Sequence, residues 1–466
     1  MNFGDLAFWK QLIGAFLVLL LIRSIFHRAG RGSYREVDRP LLLVLSLYLF
    51  SQIDLRSLLF FLFISAFSYG GVAVLSRAPR SVRYGALAVV IPIMFLPLLY
   101  FKYSGFLLNQ ASSPVLGIGI PIGLSFYTFQ KVAFFVDTII FNKPTPRLLD
   151  FMNFAAFFPQ LVAGPIERRD DLLPQMQGFR FRFYPSRVRL GVSWIIVGLF
   201  FKCVLADNLA DIAQYWQQSL DNPVSVWLSC VVFGFRIYYD FAGYSLIALG
   251  LARCLGIRLT LNFRSPYLSR SIQEFWRRWH ITLSQWFRDY IYIPMGGNRT
   301  PLAFFNILVV FAASGLWHGA GWNFILWGVA HGFLVGVQHL SRRFPFRLPG
   351  AVGWLGTNFV VFLLWLFFFE TNLPHLMAKL QTLFSPVLYS AHSFSAAVRD
   401  LNRATLGYVL AIFALVVCVH FAEMFSEAKW RKPYRAFHQT WVLCLMIGAI
   451  VWIRTNVQNG FIYFAF

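Results

Sequence analysis

Two histidines, His280 and His318, are the residues of this chain whose type and surroundings best suit acid–base chemistry. His318 lies in "FAASGLWHGAGWNFILWGVAHG", inside a long run that is otherwise apolar. An ionisable side chain at membrane depth is costly, so its presence there indicates a function. Glycines on both sides of it would let a ligand or a second helix approach closely, or let the helix break. The alternative is a buried histidine held by one structural hydrogen bond.

The charged, aromatic segment around His280, "FWRRWHITLSQWFRDYIYIPMGGNR" (275–299), separates two long apolar regions. Helical spacing predicts one continuous helix over 274–289, in which Glu274 forms a favourable pair with Arg278. Its apolar and aromatic face would consist of Trp276, Trp279, His280, Leu283 and Phe287. A basic helix of this kind suits the bilayer interface or a shallow re-entrant position, with His280 pointing inward. The proline and the Gly–Gly pair in "YIPMGGNR" would then end the helix.

Two further polar residues in apolar runs are expected to be structural. His331 follows His318 by 13 residues, which is about 220° around an unbroken helix. The two histidines should therefore share a site only if the helix between them breaks. Asp240 follows Arg236 by four residues, and this spacing predicts an ion pair within the membrane.

Composition places these residues in a membrane protein. The chain has 466 residues, of which 58% are hydrophobic and only 13% charged, whereas soluble domains rarely exceed about half apolar. Apolar runs near the length of a bilayer span recur throughout, indicating roughly ten to twelve crossings. The run 307–340 is too long for one of them. The longest polar stretch, 164–189, is too short for a core of its own. We expect an all-α polytopic protein with one transmembrane domain over 1–466.

Charge and motif content narrow the function classes. The net charge of +22 comes mostly from arginines and lysines in short loops. Positive-inside topology and contact with anionic lipid explain this charge without nucleic acid, and a phosphate-rich cytoplasmic ligand is the alternative. The five cysteines show no metal-ligand spacing, so no metal site is expected. The sequence contains no P-loop, HExxH or GxSxG motif.

Several sequence blocks together resemble one family. They are "SRSIQEFWRRWHITLSQWFRDYIYIPMGGNR", "SGLWHGAGWNFILWGVAHG", "IPIGLSFYTFQ", "FFPQLVAGPIERRDDLLPQM", "LFFKCVLADNLAD", "YYDFAGYSLIALGLARCLG" and "NGFIYFAF". They are similar to the membrane-bound O-acyltransferase superfamily, and most of all to its bacterial alginate O-acetyltransferase branch, which is related to the teichoic-acid D-alanylation membrane protein. The resemblance is dense over 115–340. It implies a bundle of roughly ten to twelve membrane helices, with re-entrant or interfacial helices around a central funnel.

The resemblance also implies which residues act. The essential histidine of the family falls on His318 in "LWHG", and a second polar position falls on His280 in "RRWH". We expect the donor tunnel to include Trp317, Asn323, Ser314, Trp279, Arg288 and Tyr290. An acid is expected after "GYS" in this branch, where the present chain has Leu246. This departure weakens a role for that loop in binding a polar substrate.

The implied reaction moves an acyl group, most simply acetyl, from a cytoplasmic thioester such as acetyl-CoA to a hydroxyl. Neutral His318 would act as the general base, since desolvation disfavours a charged imidazole. His280, Asn323 or Trp317 could donate a hydrogen bond to the oxyanion. A dry tunnel would protect the thioester from water. A covalent acyl-histidine intermediate is an open alternative.

The expected setting is the inner membrane of a bacterial cell. The acceptor would be an extracytoplasmic acetyltransferase-like partner protein that passes the acyl group to an alginate-like exopolysaccharide. The same chemistry could instead acetylate cellulose or peptidoglycan. Two readings without chemistry also remain, a carrier of polysaccharide or lipid and a scaffold that recruits a secreted enzyme. Loss of product on His318→Ala would separate an acyltransferase from both.

Overall fold

The computed structural model describes residues 3–28, 34–108, 120–162, 164–341, 349–399, 401–455 and 460–462. These residues fold into α-helices joined by turns and short π- and 3₁₀-helical segments. The chain divides into unit 1, Met1–Ile195 with Ile247–Thr260, and unit 2, Ile196–Leu246 with Leu261–Phe466. The single domain expected over 1–466 stays a prediction.

Unit 1 is built around α6, whose side chains are buried from Phe126 to Ile139. Its first nine helices are α1 (Leu6–Arg28), α2 (Tyr34–Ser51), α3 (Leu55–Leu75), α4 (Arg80–Leu98), α5 (Ser104–Leu107), α6 (Leu124–Ile140), α7 (Leu148–Ala156), α8 (Phe158–Leu161) and α9 (Arg169–Gln177). The helix α10 (Pro185–Leu199) begins in this unit. It continues through the π-helical turn Phe200–Ala206 into unit 2.

Unit 2 has a core of fully buried tryptophans, Trp279, Trp327 and Trp365. Its helices are α11 (Asp207–Ala213), α12 (Pro223–Cys254) as far as Leu246, α13 (Ile272–Arg278), α14 (Ile281–Phe287), α15 (Ala303–His318), α16 (Trp322–Ser341), α17 (Gly350–Phe369), α18 (Leu373–Leu383), α19 (Ala391–Arg399), α20 (Arg403–Trp430) and α21 (Thr440–Trp452). Of the terminal motif 459–466, only 460–462 are among the described residues.

Seven helical stretches in the described part of the chain are long and apolar enough to cross a membrane. They are Leu6–Arg28, Leu55–Leu75, Arg80–Leu107, Pro185–Ala213, Pro223–Cys254, Gly350–Phe369 and Arg403–Trp430. The apolar helices α15 and α21 are shorter. The sequence indicated roughly ten to twelve crossings, counted from run length alone. Fewer stretches count as spans because α2 and α16 carry charged or polar residues and α6 has only 17 residues.

The outward faces of the long helices are apolar, as a lipid environment requires. On α20, Leu410, Val417 and Phe421 are 60%, 50% and 59% exposed. The spacing of seven and four residues places them on one stripe. A soluble protein would rarely leave so large an apolar surface uncovered. The all-helical, multi-pass membrane protein expected from the sequence is therefore confirmed.

The run 307–340 divides into α15 and α16, as its length required. The two helices pack with their backbones in contact. A Cβ added to Gly315 would lie 2.1 Å from the Phe324 carbonyl oxygen, and one added to Gly328 would lie 2.2 Å from the Phe311 carbonyl oxygen. Only glycine permits this approach, which is typical of close helix pairs in membranes. The contact fixes His318, the last residue of α15, against α16.

Gly315→Ala is expected to destabilise the protein by about 1–3 kcal/mol, because the obstructing atom is backbone and one helix must shift. Thermal unfolding of the detergent-solubilised protein measures the loss. Gly356→Ala in α17 is the matched control, since a Cβ there would meet no atom within 4 Å. It should be neutral or slightly stabilising. Equal transition temperatures for the two variants would contradict the close packing.

Candidate functional site

His318 is enclosed by aromatic rings at the end of α15. The side chain is 2% exposed. Its ring centroid lies 4.9 Å from that of Trp317, 5.1 Å from that of Trp327 and 5.2 Å from that of Phe368, all in edge-on geometry. Such rings exclude water while presenting their edges and faces to the imidazole. The sequence identified the depth of His318, but Trp327 and Phe368 come from separate helices and had no recognisable signal.

His331 lies near the same aromatic cluster. The sequence placed it on the opposite side of an unbroken helix, but the helix breaks between His318 and Trp322. The ring of Trp327 therefore contacts both histidines, with centroids 5.1 Å from His318 and 4.9 Å from His331. The indole N–H of Trp276 donates to Nδ1 of His331 at 3.3 Å. This hydrogen bond agrees with the structural role predicted for His331.

The segment around His280 is two short helices, and the continuous helix expected over 274–289 is wrong. Ser271 caps the start of α13, and its hydroxyl accepts the Glu274 N–H. The helix contains the predicted pair of Glu274 with Arg278, at 2.9 Å. It ends at Arg278, and α14 begins at Ile281. Between them His280 has a left-handed backbone with φ of 41°. Non-glycine residues rarely adopt this conformation, and it occurs where surrounding contacts enforce it.

Asn262 supplies those contacts. Its carbonyl oxygen accepts the Ile281 N–H at 2.9 Å, and its side-chain Oδ1 accepts the N–H and the hydroxyl of Thr282 at 3.2 and 3.0 Å. The same Oδ1 lies 3.2 Å from Nδ1 of His280. Because this oxygen can only accept, a neutral His280 facing it carries its hydrogen on Nδ1, and Nε2 is then an acceptor. The sequence gave no indication of Asn262, which lies 18 residues before the histidine.

Burial also determines the charge of His280. The side chain is fully buried, and the loss of water lowers its pKa from 6.5 to about 3. The imidazole is therefore neutral at physiological pH. Its ring lies 4.7 Å from the ring of Phe241 and 5.7 Å from that of Trp317. Trp317 thus contacts both His280 and His318, so the structure brings these three predicted residues together.

The other five predicted residues lie in different surroundings. Trp279 is fully buried against Trp365, with ring centroids 5.0 Å apart. The Asn323 amide donates to the Phe367 carbonyl at 3.0 Å. Tyr290 packs on Trp286, at 5.2 Å between centroids. Ser314 and Arg288 line a cavity, which is described next.

A cavity of about 310 Å³ lies within unit 2, and neither His280 nor His318 is among the described residues that line it. Its apolar walls come from Leu283, Phe287, Ile307, Val310, Phe311 and Val335. Ser314, one helical turn before His318, lines it, as do Arg277 and Arg288. Both arginines are exposed, and Arg288 pairs with Asp289 at 2.7 Å. The cavity therefore combines an apolar interior with positive charge, a combination suited to an acyl group on an anionic carrier.

Unit 2 also contains a buried group of three ionisable side chains. Lys202 lies in the π-helical turn and contacts Asp207 and Asp240, each at 2.8 Å from Nζ. The sequence predicted an ion pair of Asp240 with Arg236; Arg236 is near enough to attract Asp240, but the cation in contact with it is Lys202. Lys202 contacts Asp240 from a separate helical segment, a relation that spacing along one helix cannot reveal. The three side chains are all less than 10% exposed, so each charge depends on the others for compensation.

The second oxygen of Asp240 binds a distant part of the chain. It accepts the N–H of Ile462 at 2.7 Å. The neighbouring Phe461 ring lies 5.5 Å from the ring of Phe241, which itself contacts His280. The described part of the terminal motif is thus connected to the histidine site through one aromatic residue.

The chain is similar to known proteins over most of its length. A model of the membrane-bound O-acyltransferase family matches residues 141–373. A peptidoglycan O-acetyltransferase of Helicobacter pylori is 32% identical over 79% of this chain and 80% of its own length. A probable alginate O-acetylase of Pseudomonas aeruginosa is 34% identical over 84% of this chain and 76% of its own length. A teichoic acid D-alanyltransferase of Streptococcus thermophilus is 30% identical over 45% of this chain.

The long apolar helices of the described residues define a polytopic helical membrane protein. The family model and the relatives show which family of membrane proteins this is. The chain belongs to the membrane-bound O-acyltransferase family, and it is an acyltransferase.

The neutral state of His280 predicts how stability depends on pH. The unfolded chain takes up a proton near pH 6.5, whereas the folded protein does so only near pH 3. Folding free energy is therefore lost as the pH falls from 6.5 toward 3, by up to about 1.4 kcal/mol per pH unit. His280→Asn removes the titration and tolerates the left-handed backbone. Denaturant unfolding between pH 7 and 4.5 should give a flatter pH dependence for the variant, and parallel curves would contradict the assignment.

Lys202→Met is expected to destabilise the protein by about 3–5 kcal/mol, because it leaves two buried carboxylates without the cation that contacts them. The triple variant Lys202→Met/Asp207→Asn/Asp240→Asn removes the charges together and should recover part of this loss. Unfolding of the purified proteins at pH 7 gives the comparison. A single variant as stable as wild type would show that the ion group is not buried as described.

Proposed function

We propose that the protein transfers an acetyl group from a cytoplasmic thioester, acetyl-CoA being the simplest, to a hydroxyl on the far side of the bacterial inner membrane. The observation that supports this most directly is the buried group of His280, Trp317 and His318, together with an apolar cavity lined by Ser314, one helical turn before His318. Such a site offers a base in surroundings that exclude water, which acyl transfer from a thioester needs.

His318 is proposed as the general base. It removes the proton of the acceptor hydroxyl while the hydroxyl oxygen bonds to the thioester carbonyl carbon. The tetrahedral intermediate collapses by breaking the carbon–sulfur bond, and His318 returns the proton to the departing thiolate. An ester and a free thiol result, so protons and electrons balance. General-base help of this kind is typically worth about 10²–10⁴-fold in rate.

Trp317 is proposed as a donor to the oxyanion, and His280 is not. A neutral His280 has its hydrogen on Nδ1, directed at Asn262. Its Nε2 can then only accept a hydrogen bond. The indole of Trp317 lies next to both imidazoles and has a permanent N–H. His280 instead orients Trp317 and helps to keep the site dry. The amide of Asn323 is already used on a backbone carbonyl, which makes it the weaker choice.

The cavity beside Ser314 is proposed as the place of the thioester. It is within the range of small-ligand sites in proteins, at about 310 Å³. Its apolar walls suit an acyl group and thioether stem. Arg277 and Arg288 would attract the phosphates of the carrier, since guanidinium groups bind phosphate with two hydrogen bonds.

The acceptor is proposed to be a cell-envelope polysaccharide, reached directly or through an extracytoplasmic partner protein. Two relatives support this class, because one is named for peptidoglycan and the other for alginate. Leu246, where an acid was expected, is 1% exposed and part of the core. A buried leucine at this position cannot make a polar contact with a substrate.

His318→Ala is expected to lower ester formation at least about 100-fold, because it removes the proposed acceptor of the hydroxyl proton. Acetyl ester is measured separately in the extracellular polysaccharide and in the peptidoglycan of cells, with membrane levels of the protein checked. His392→Ala changes an exposed histidine and serves as control. Unchanged ester in the His318 variant would contradict the proposal.

Thiol release by purified protein in liposomes distinguishes an enzyme from a carrier or a scaffold. Wild type given acetyl-CoA and a hydroxyl acceptor should release free coenzyme A, and the His318 variant should not. Ester that depends on His318 in cells, without thiol release from any thioester tested, would favour a carrier or scaffold.

A further inference from the structure

A second cavity, in unit 1, is lined by arginines. Its volume is about 550 Å³. It lies between the chain entering α10 and the turn that follows α12. Its lining includes Gln175, Arg180, Arg182, Tyr184, Arg187 and Gly256. No carboxylate is among the described residues that line it.

One wall is an extended strand-like segment with alternating side chains. Phe179 and Phe181 are 3% and 4% exposed, and their rings contact each other at 4.9 Å. Arg180 and Arg182 therefore point away from that core, toward the cavity. The N–H of Phe181 donates to Asp38 at 3.0 Å, which fixes the backbone of the segment. The two arginines are thus presented by a rigid support.

The other wall is held just as closely. A Cβ on Gly191 of α10 would lie 2.7 Å from the Gly250 carbonyl oxygen of α12, so these helices touch through their backbones. Beyond α12, Gly256 turns the chain with φ of 84°. The Gln175 side chain clamps the next turn by accepting the Arg258 N–H at 2.9 Å and donating to the Arg258 carbonyl at 3.0 Å. The shape of the cavity therefore depends on specific contacts.

Arg187 lies between the two walls. Its guanidinium stacks on the Tyr184 ring at 4.4 Å. Its Nη1 is 3.3 Å from the point where a Cβ on Gly256 would be. Arg253 is near enough to Arg187 and to Arg258 to be repelled by both. Like charges held this close destabilise the folded state unless an anion lies among them.

From these contacts we infer that the arginine cavity of unit 1 binds a phosphate-bearing anion. Guanidinium groups match phosphate oxygens in geometry and charge, and the arginines supply several donors converging on one space. The volume suits a ligand larger than one phosphate. The phosphate can belong to a lipid headgroup or to a soluble molecule. Binding here does not require that the protein transfer acyl groups, so failure of either proposal leaves the other intact.

The test uses full-length protein in two kinds of nanodisc. In phosphatidylcholine nanodiscs, equilibrium dialysis measures binding of radiolabelled inorganic pyrophosphate. In mixed phosphatidylcholine–phosphatidylglycerol nanodiscs, native mass spectrometry counts the phosphatidylglycerol retained by the released protein. Pyrophosphate binding identifies a soluble phosphate ligand, and retained phosphatidylglycerol identifies a lipid headgroup.

Arg182→Gln/Arg187→Gln is expected to weaken whichever ligand binds by at least about tenfold, because two charge-assisted contacts are lost. The matched control, Arg77→Gln/Arg80→Gln, removes the same charge from exposed positions elsewhere in unit 1 and should bind as wild type does. Gel filtration confirms that each variant is folded. If both double variants resemble wild type in both kinds of nanodisc, the inference is overturned.

Gln175→Leu distinguishes a binding site of defined shape from general electrostatic attraction to a basic surface. It keeps every arginine but releases the turn at Arg258. We expect it to weaken binding several-fold at unchanged net charge. Binding equal to wild type would contradict a site of defined shape and leave only general attraction between positive loops and anions.

Discussion

The backbones of α15 and α16 touch at Gly315 and Gly328, and the position of His318 follows from that contact. Helix pairs in membranes gain little from the hydrophobic effect, so they depend on close packing of small residues. At this distance Trp327, next to Gly328 on α16, necessarily packs on the imidazole at the end of α15. A wider spacing would open the space around His318 to water or lipid.

Because aromatic rings enclose the site, the polar groups near it lack water and need other hydrogen-bond or charge partners. His280 avoids a buried charge by staying neutral, with Asn262 as its hydrogen-bond partner. Lys202 and its two carboxylates keep their charges by pairing. Both arrangements satisfy polar groups where water is absent, and both use residues far apart in sequence. The site is therefore supported by polar contacts outside it as much as by its own aromatic packing.

How much of the structure the sequence could predict depends on how far apart in sequence the contacting residues are. The membrane class and the depth of His318 follow from hydropathy, and its neighbouring glycines allow a helix break without requiring one. The left-handed backbone of His280 does not follow from the sequence, because periodicity assumes a continuous helix and Asn262 enforces the break from 18 residues away. The contact of Asp240 with Lys202 was missed for the same reason. Arg236 is near in sequence and attracts Asp240, but Lys202 is the residue in contact.

The hydrogen bond from Ile462 to Asp240 joins residues 222 positions apart. During synthesis, α12 therefore enters the bilayer long before its carboxylate can meet this partner. In that interval the nascent protein holds a partly satisfied acidic group away from water, which costs free energy until the hydrogen bond forms. The surroundings of Asp240 are consequently completed only after residue 462 has been made.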